Sequence, residues 1–268
     1  MSSVPVTVSH LAIAPVKGLR LISASEITVG QHGVTGDREF LVVGDDGKLL
    51  LTARTPALLN IEPAWDRARG VLALRFPDGT IVQGTPEPGA PAATRMYDGR
   101  EIRGRIIPGP LSAALSDYLG REVRLFRREP EQLGHDDEPV TLMSEASLKA
   151  LAPELSGTAP DPRRFRMSIM MTGTGAWDEH GWGGRQIAIG EAVLRVIAPV
   201  PRCVVTTRNP DSGTTDARVL HALARLRGKD DITFGVWCDI IRPGRIHIGD
   251  QVQQVTAGRR AAQVTAGR

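Results

Sequence analysis

Short apolar runs, cut at close intervals by turn residues, set the tightest limit on what this chain can fold into. Residues 6–13 are β-branched and apolar, residues 22–29 follow, and then 39–43. Asp45-Asp46-Gly47 supplies hairpin-turn chemistry between Val43 and Leu49. Residues 71–76 form another strand, closed by Pro77-Asp78-Gly79, and residues 84–93, dense in Pro, Gly and Ala, read as a loop. Further on, 122–126 looks extended. Residues 185–189 and 192–197 flank the two-residue loop Gly190-Glu191, and 232–241 and 245–248 make a strand pair around Pro243-Gly244. Helical patterning is confined to three places. Leu111, Leu115 and Leu119 share one face behind Pro110, with Gly120 as the stop; Ser144 is the N-cap of a short helix carrying Leu148 and Leu151. Asp216 is the expected N-cap of a longer helix with Val219, Leu220, Leu223 and Leu226 inward and Gly228 at its end. Strand–helix alternation long enough for a doubly wound sheet is absent. The fold class is therefore mainly β (α+β), with a few helices.

The chain is 41% hydrophobic and 24% charged over 268 residues, enough to bury a core. No stretch approaches the roughly 18 uncharged apolar residues of a membrane helix, and residues 1–15 lack the charged start and apolar block of an export signal, so a cytoplasmic, membrane-free setting is expected. Two cysteines, Cys203 and Cys238, are too few for a disulfide framework, a four-cysteine zinc site or a cysteine-ligated iron–sulfur cluster. A formal charge of +3 with 4% aromatic residues argues against a nucleic-acid binder. The basic residues are lopsided, with arginine far outnumbering the four lysines. Coding bias would produce this, and so would a need for planar, bidentate recognition of phosphate or carboxylate.

Several local patterns could carry chemistry. In Pro201-Arg202-Cys203 a guanidinium precedes a thiol just after a strand, which favours a ligand or nucleophile; a small buried hydrophobe beside Val204 and Val205 is the other reading. Cys238 has no charged residue before it and reads as buried. Lys17-Gly18 lets an ammonium and bare backbone approach an anion together, or is a plain surface turn. The turn 33–38 ends in the acid–base pair Asp37-Arg38, which alone would be an ordinary exposed ion pair. Arg163, Arg164 and Arg166 surround Phe165 and could hold a phosphate or stack on a flat heterocycle, or form a solvated loop. Asp178-Glu179-His180 lacks zinc-site spacing and reads as a loop. No phosphate loop, nucleophile elbow or dinucleotide fingerprint occurs in the right context.

Taken in order along nearly the whole chain, these patterns resemble the MOSC-domain proteins, a group that includes the C-terminal region of molybdenum-cofactor sulfurases and the amidoxime-reducing molybdoenzymes. The resemblance rests on Pro15-Val16-Lys17, residues 33–38 and Leu51-Thr52-Ala53-Arg54 in the first part. In the second it rests on Ser144 to Leu148, Arg164-Phe165-Arg166, Pro201-Arg202-Cys203, Thr206-Thr207, residues 209–213, Phe234-Gly235 and Arg242-Pro243-Gly244. It implies a β-rich N-terminal domain over residues 1–95, a MOSC-type β-barrel over 96–255 and a polar tail over 256–268. The tail includes most of a hexapeptide, Gln-Val-Thr-Ala-Gly-Arg, that occurs twice, at 254–259 and 263–268.

The resemblance further implies a molybdenum–molybdopterin (pyranopterin dithiolene) cofactor, with Cys203 as the metal ligand and catalytic position. Thiolate suits a metal already held by dithiolene sulfurs. Lys17, Gly18, Arg38 and Arg166 match positions that hold the cofactor's phosphate and pterin; Pro201, Arg202 and Trp237 match contacts beside the ligand. Three residues depart from the family pattern: Gly18 stands where serine is common, and Met167-Ser168 stands where Pro-Asn is usual. A ferredoxin domain, carried by some relatives, is not expected here, so electrons would come from a separate ferredoxin- or flavoprotein-type donor. The expected activity is two-electron reduction of small N-hydroxylated substrates such as hydroxylamines and amidoximes. The alternative is a carrier of cofactor or of persulfide sulfur on Cys203, although no aminotransferase-like desulfurase segment is expected and pyridoxal phosphate is not implied. A cysteine-nucleophile enzyme is a third reading; it needs a base, and none of the six histidines sits in a recognisable partner motif.

Overall fold

The computed structural model describes residues 5–255; the polar tail at 256–268 lies outside them. Alternation sets the strands. In Val71–Arg75, Leu72 and Leu74 point inward, while Arg75 faces out. Phe40–Gly44 is buried throughout because its two faces serve two cores. Phe40 and Val42 pack with Val16, Leu58 and Leu72, whereas Leu41 and Val43 pack with Met96, Ile102 and Phe126.

The largest sheet has eight strands. In spatial order they are Val252–Gln254, Gln186–Ile189, Ala192–Pro201, Thr233–Arg242, Val140–Ser144, Ile169–Thr172, Thr7–Ile13 and Ile22–Ala24. All neighbours are antiparallel except Val140–Ser144 beside Ile169–Thr172. Backbone bonds from Val8 N to Asp250 O and from Val252 N to Val6 O (both 2.8 Å), with a Thr7–Gln251 bridge, bring the start of Thr7–Ile13 against the start of Val252–Gln254, around a core of Leu11, Leu142, Ile169 and Leu194. A four-stranded sheet orders Phe40–Gly44, Val123–Arg128, Glu101–Ile107 and Pro91–Arg95, and so joins residues on both sides of position 95. The chain is mainly β, with three α-helices among the described residues. No helix among them is long and apolar enough to cross a membrane.

Helix Pro110–Leu119 forms where the leucine spacing predicts it, with Gly120 in the left-handed region at its end. Ser144 caps Glu145–Ala150 by accepting from Ala146 N at 3.1 Å. Several local expectations are corrected. The last helix spans Val219–Arg227 and begins after Arg218, which makes no side-chain cap bond. Asp216 is not its cap, because its carboxylate is held by Arg164 at 2.7 Å and by Asn209 at 2.8 Å. Leu226 is exposed. Gly244–His247 does not pair with Thr233–Arg242; it crosses to Glu26–Gly30 of the N-terminal part. Likewise, the end of the 84–93 segment, read as loop, joins the strand Pro91–Arg95. Asp178-Glu179-His180, also read as loop, begins a 3-10 turn in which buried Glu179 accepts from Ser147 Oγ at 2.8 Å.

Candidate functional site

The strand Thr7–Ile13 runs out of the large sheet and its continuation lies beside residues 38–40. Arg38 N donates to Ala14 O (2.7 Å), Phe40 N to Pro15 O (2.9 Å) and Lys17 N to Phe40 O (2.8 Å). This short parallel contact puts Lys17 and Arg38 side by side. Arg166 reaches them from the other half of the chain. It ends the 3-10 turn Pro162–Phe165, which is anchored by the Phe165–Phe234 stack (centroids 4.0 Å apart). Arg38 Nη2 then donates to Arg166 O at 3.1 Å, and Arg166 Nη2 to Leu19 O at 2.7 Å, so each arginine holds the backbone of the opposite half. Both have positive φ, 48° for Arg38 and 54° for Arg166, a conformation that non-glycine residues keep only where the surroundings enforce it.

The acid–base pair of the 33–38 turn is thus buried, not an exposed ion pair. Asp37, fully inaccessible, accepts from Ala14 N (2.6 Å), from His135 Nε2 (2.9 Å) and from Arg38. Burial pushes its carboxyl up, but the Arg38 charge and the bonds from His135 and Ala14 N together hold it well below the usual carboxylate range. Burial, with Arg38 alongside, lowers His135 to about 4 and keeps it neutral. The same desolvation lowers Lys17, aided by Arg38 and Arg166, and takes Arg166 down to about 10. Lys17 Nζ donates to Gly134 O at 3.1 Å and pairs with Asp136 at 2.7 Å. Arg166 has no carboxylate partner among the described residues.

Lys17, Gly18, Arg38 and Arg166 line a cavity of about 450 Å³, and Pro201, Arg202, Cys203 and Trp237 line the same cavity. All eight residues singled out from the sequence therefore meet in one hollow. Cys203 is an exposed free thiol at the end of the long strand Ala192–Pro201. Its carbonyl accepts from Thr206 N (3.2 Å) and Thr206 Oγ1 (3.0 Å), which fixes the turn that presents it. Cys238 is buried as expected, and burial pushes its thiol up. Arg202 lines the cavity but spends its donors on the protein. Nε gives a bond to Phe234 O (2.9 Å), Nη1 to Phe165 O (3.0 Å) and Nη2 to Met167 Sδ (2.7 Å). Burial lowers it to about 9. Its geometry is that of a clamp across three segments beside Cys203. Of the other arginines in that cluster, Arg163 is taken up by Asp161 and Asp211, and Arg164 by Asp216 and Arg208 O.

Two departures from the family pattern have visible consequences. Gly18 has φ +90°, and a Cβ there would lie 3.0 Å from Thr52 Oγ1. Thr52, itself on the cavity wall, thus brings a hydroxyl next to the position that lacks one. Met167 caps Arg202. Sequence reasoning missed His135, Asp136 and Thr52 as wall residues. The run His135-Asp136-Asp137-Glu138 was visible as a cluster of titratable side chains, but its partners Asp37 and Lys17 are about a hundred residues away. No histidine hydrogen-bonds the Cys203 sulfur among the described residues, so the base a cysteine nucleophile would need has no support here. No group of three or more metal-ligating side chains occurs among them either.

Fold and cavity together define a mainly β protein that brings a free thiol and buried cations from both halves of its chain to one hollow. The description "MOSC N-terminal beta barrel domain" matches residues 5–122 and "MOSC domain" matches residues 129–253. The chain belongs to the MOSC-domain proteins. It is 26% identical to the mitochondrial amidoxime-reducing component 1 of Mus musculus, over 92% of this chain and 81% of that one. It is likewise 26% identical to the Homo sapiens protein of that name, covering 92% and 82%. The molybdenum cofactor sulfurase of Danio rerio is 25% identical over 86% of this chain but only 31% of its own length.

Proposed function

We propose that this protein binds a molybdenum–molybdopterin cofactor and reduces small N-hydroxylated compounds, amidoximes and hydroxylamines, with electrons from a separate ferredoxin- or flavoprotein-type donor. One observation carries the reading: an exposed thiol shares a cavity with the cations Lys17, Arg38 and Arg166, the last of which has no carboxylate partner among the described residues. A cofactor with an anionic phosphate at one end and a sulfur-seeking metal at the other matches that donor set. The names of the relatives, amidoxime-reducing components and a molybdenum cofactor sulfurase, support the same class.

Cys203 would hold the metal, and Lys17 and Arg166 would take the phosphate and pterin end. Bound there, the cofactor would supply a metal able to change oxidation state by two electrons while accepting oxygen from the substrate. Arg38 adds charge and fixes Arg166 through its carbonyl. Gly18 allows close backbone approach, with the Thr52 hydroxyl beside it. Arg202 is assigned a positioning role: by clamping Phe165, Phe234 and Met167 it sets the direction in which Cys203 faces the cavity. Pro201 and Trp237 wall the site next to the thiol and help exclude water. Both cysteines are free thiols, which supports a reducing compartment; the cytoplasm is our proposed location.

The reaction consumes an amidoxime, two electrons and two protons and releases an amidine and water. The test uses cofactor-loaded protein, an artificial one-electron donor and chromatography of the amidine. Stoichiometric product supports the reductase. A persulfide mass on Cys203 with no turnover would transfer the assignment to sulfur carriage.

A further inference from the structure

The cationic corner holds two counter-anions of very different standing. Asp37 is fully buried and bonded by Ala14 N, His135 and Arg38; it is part of the framework. Asp136 has a 59% exposed side chain, and Lys17 supplies its ion pair. Within the corner itself Lys17, Arg38 and Arg166 face Asp37 and Asp136, with His135 neutral; Arg202, at the thiol end of the cavity, also feels Asp136. Three cations and two carboxylates leave a local charge of +1. With Asp136 withdrawn, the charge is +2, which neutralises a phosphate monoester of charge about −1.5 to −2.

The backbone carrying Asp136 is strapped from the turn between Pro91–Arg95 and Glu101–Ile107. Arg100 donates to Leu133 O (2.9 Å), His135 O (2.7 Å) and Asp136 O (2.9 Å), and Tyr97 Oη to Asp137 (3.2 Å). Release of Lys17 therefore needs a side-chain rotation, not an opening of the loop.

Resting on the reading of this corner as the phosphate end of the site, we propose that Asp136 is an internal stand-in for the ligand's phosphate. It neutralises buried Lys17 in unloaded protein and is exchanged for the incoming anion. The exchange lets the corner be strongly cationic toward its ligand without carrying that charge uncompensated when empty.

The experiment titrates unloaded protein with inorganic phosphate by calorimetry, comparing wild type, Asp136→Asn, Lys17→Ala and the double variant, with thermal melts to establish that each is folded. Removing the competing carboxylate is expected to tighten phosphate binding by about tenfold in Asp136→Asn. In the Lys17→Ala background the same substitution is expected to have no effect. Equal or weaker binding by Asp136→Asn, with wild-type binding that depends on Lys17, would overturn the exchange and leave the phosphate site standing. No Lys17-dependent binding by either protein would overturn the phosphate site and the exchange together.

Discussion

The two ends of the cavity are built by opposite rules. At the cationic end, Arg38 and Arg166 sit in the left-handed backbone region, each pinned to the other half of the chain, around a carboxylate with no solvent exposure. At the other end a single thiol stands exposed at a strand terminus, with Val204 beside it also exposed. Charge taken out of water has to be over-determined by bonds or it unfolds the protein. The thiol proposed to hold the metal needs only a direction, the role proposed for Arg202 and the Thr206 turn. Folding and function are thus coupled at one end and separable at the other.

Removing the thiol should give the largest functional effect and the smallest structural one. Cys203→Ala is expected to lower amidoxime reduction by roughly a hundredfold or more, while its denaturation free energy stays within about 0.5 kcal/mol of wild type. An equal loss of stability would show that the two ends are not separable. Arg38→Met should lower stability and activity together, because it strands Asp37 without its guanidinium and frees the Arg166 backbone. Urea denaturation should show a loss of about 3–5 kcal/mol, and a loss under about 1 kcal/mol would mean that the pair is not structural.

The smallest and most diagnostic effect is in pH. His135 falls from 6.5 to about 4 on folding, so between those values the unfolded chain binds the proton and the folded one does not. Its contribution to stability is present above about pH 6.5 and is lost as the pH falls toward 4, by at most about 3 kcal/mol. Asp37, held low on folding, loses its own contribution as the pH falls through and below the ordinary carboxylate range, so it adds slope only at the acid edge of that window. Stability measured from pH 7 to pH 4 should therefore decline in wild type and flatten in His135→Gln. Equal slopes would assign the decline elsewhere.

Much of this was legible in the sequence wherever a single segment decides its own structure. The alternation in 71–75, the leucine spacing of 111–119 and the Ser144 cap each carry their information within a few residues. Asp216 shows where that fails, because a cap residue competes for partners and Arg164, over fifty residues away, takes the carboxylate. Gly244–His247 followed a turn signal but found a better edge in Glu26–Gly30. At the site, Lys17, Arg38, Arg166 and Cys203 were legible through family resemblance. Asp37–His135 and Lys17–Asp136 were not, because each couples the early part of the chain to a loop about a hundred residues later, and no local pattern encodes such a pairing.

The central claim is that the thiol and the cationic corner grip one molybdenum–pterin group between them. Elemental analysis of protein purified from a host that makes the cofactor tests it directly. Close to one molybdenum per folded wild-type chain is expected, and little in Cys203→Ala. Well-folded wild-type protein that carries no molybdenum would contradict it.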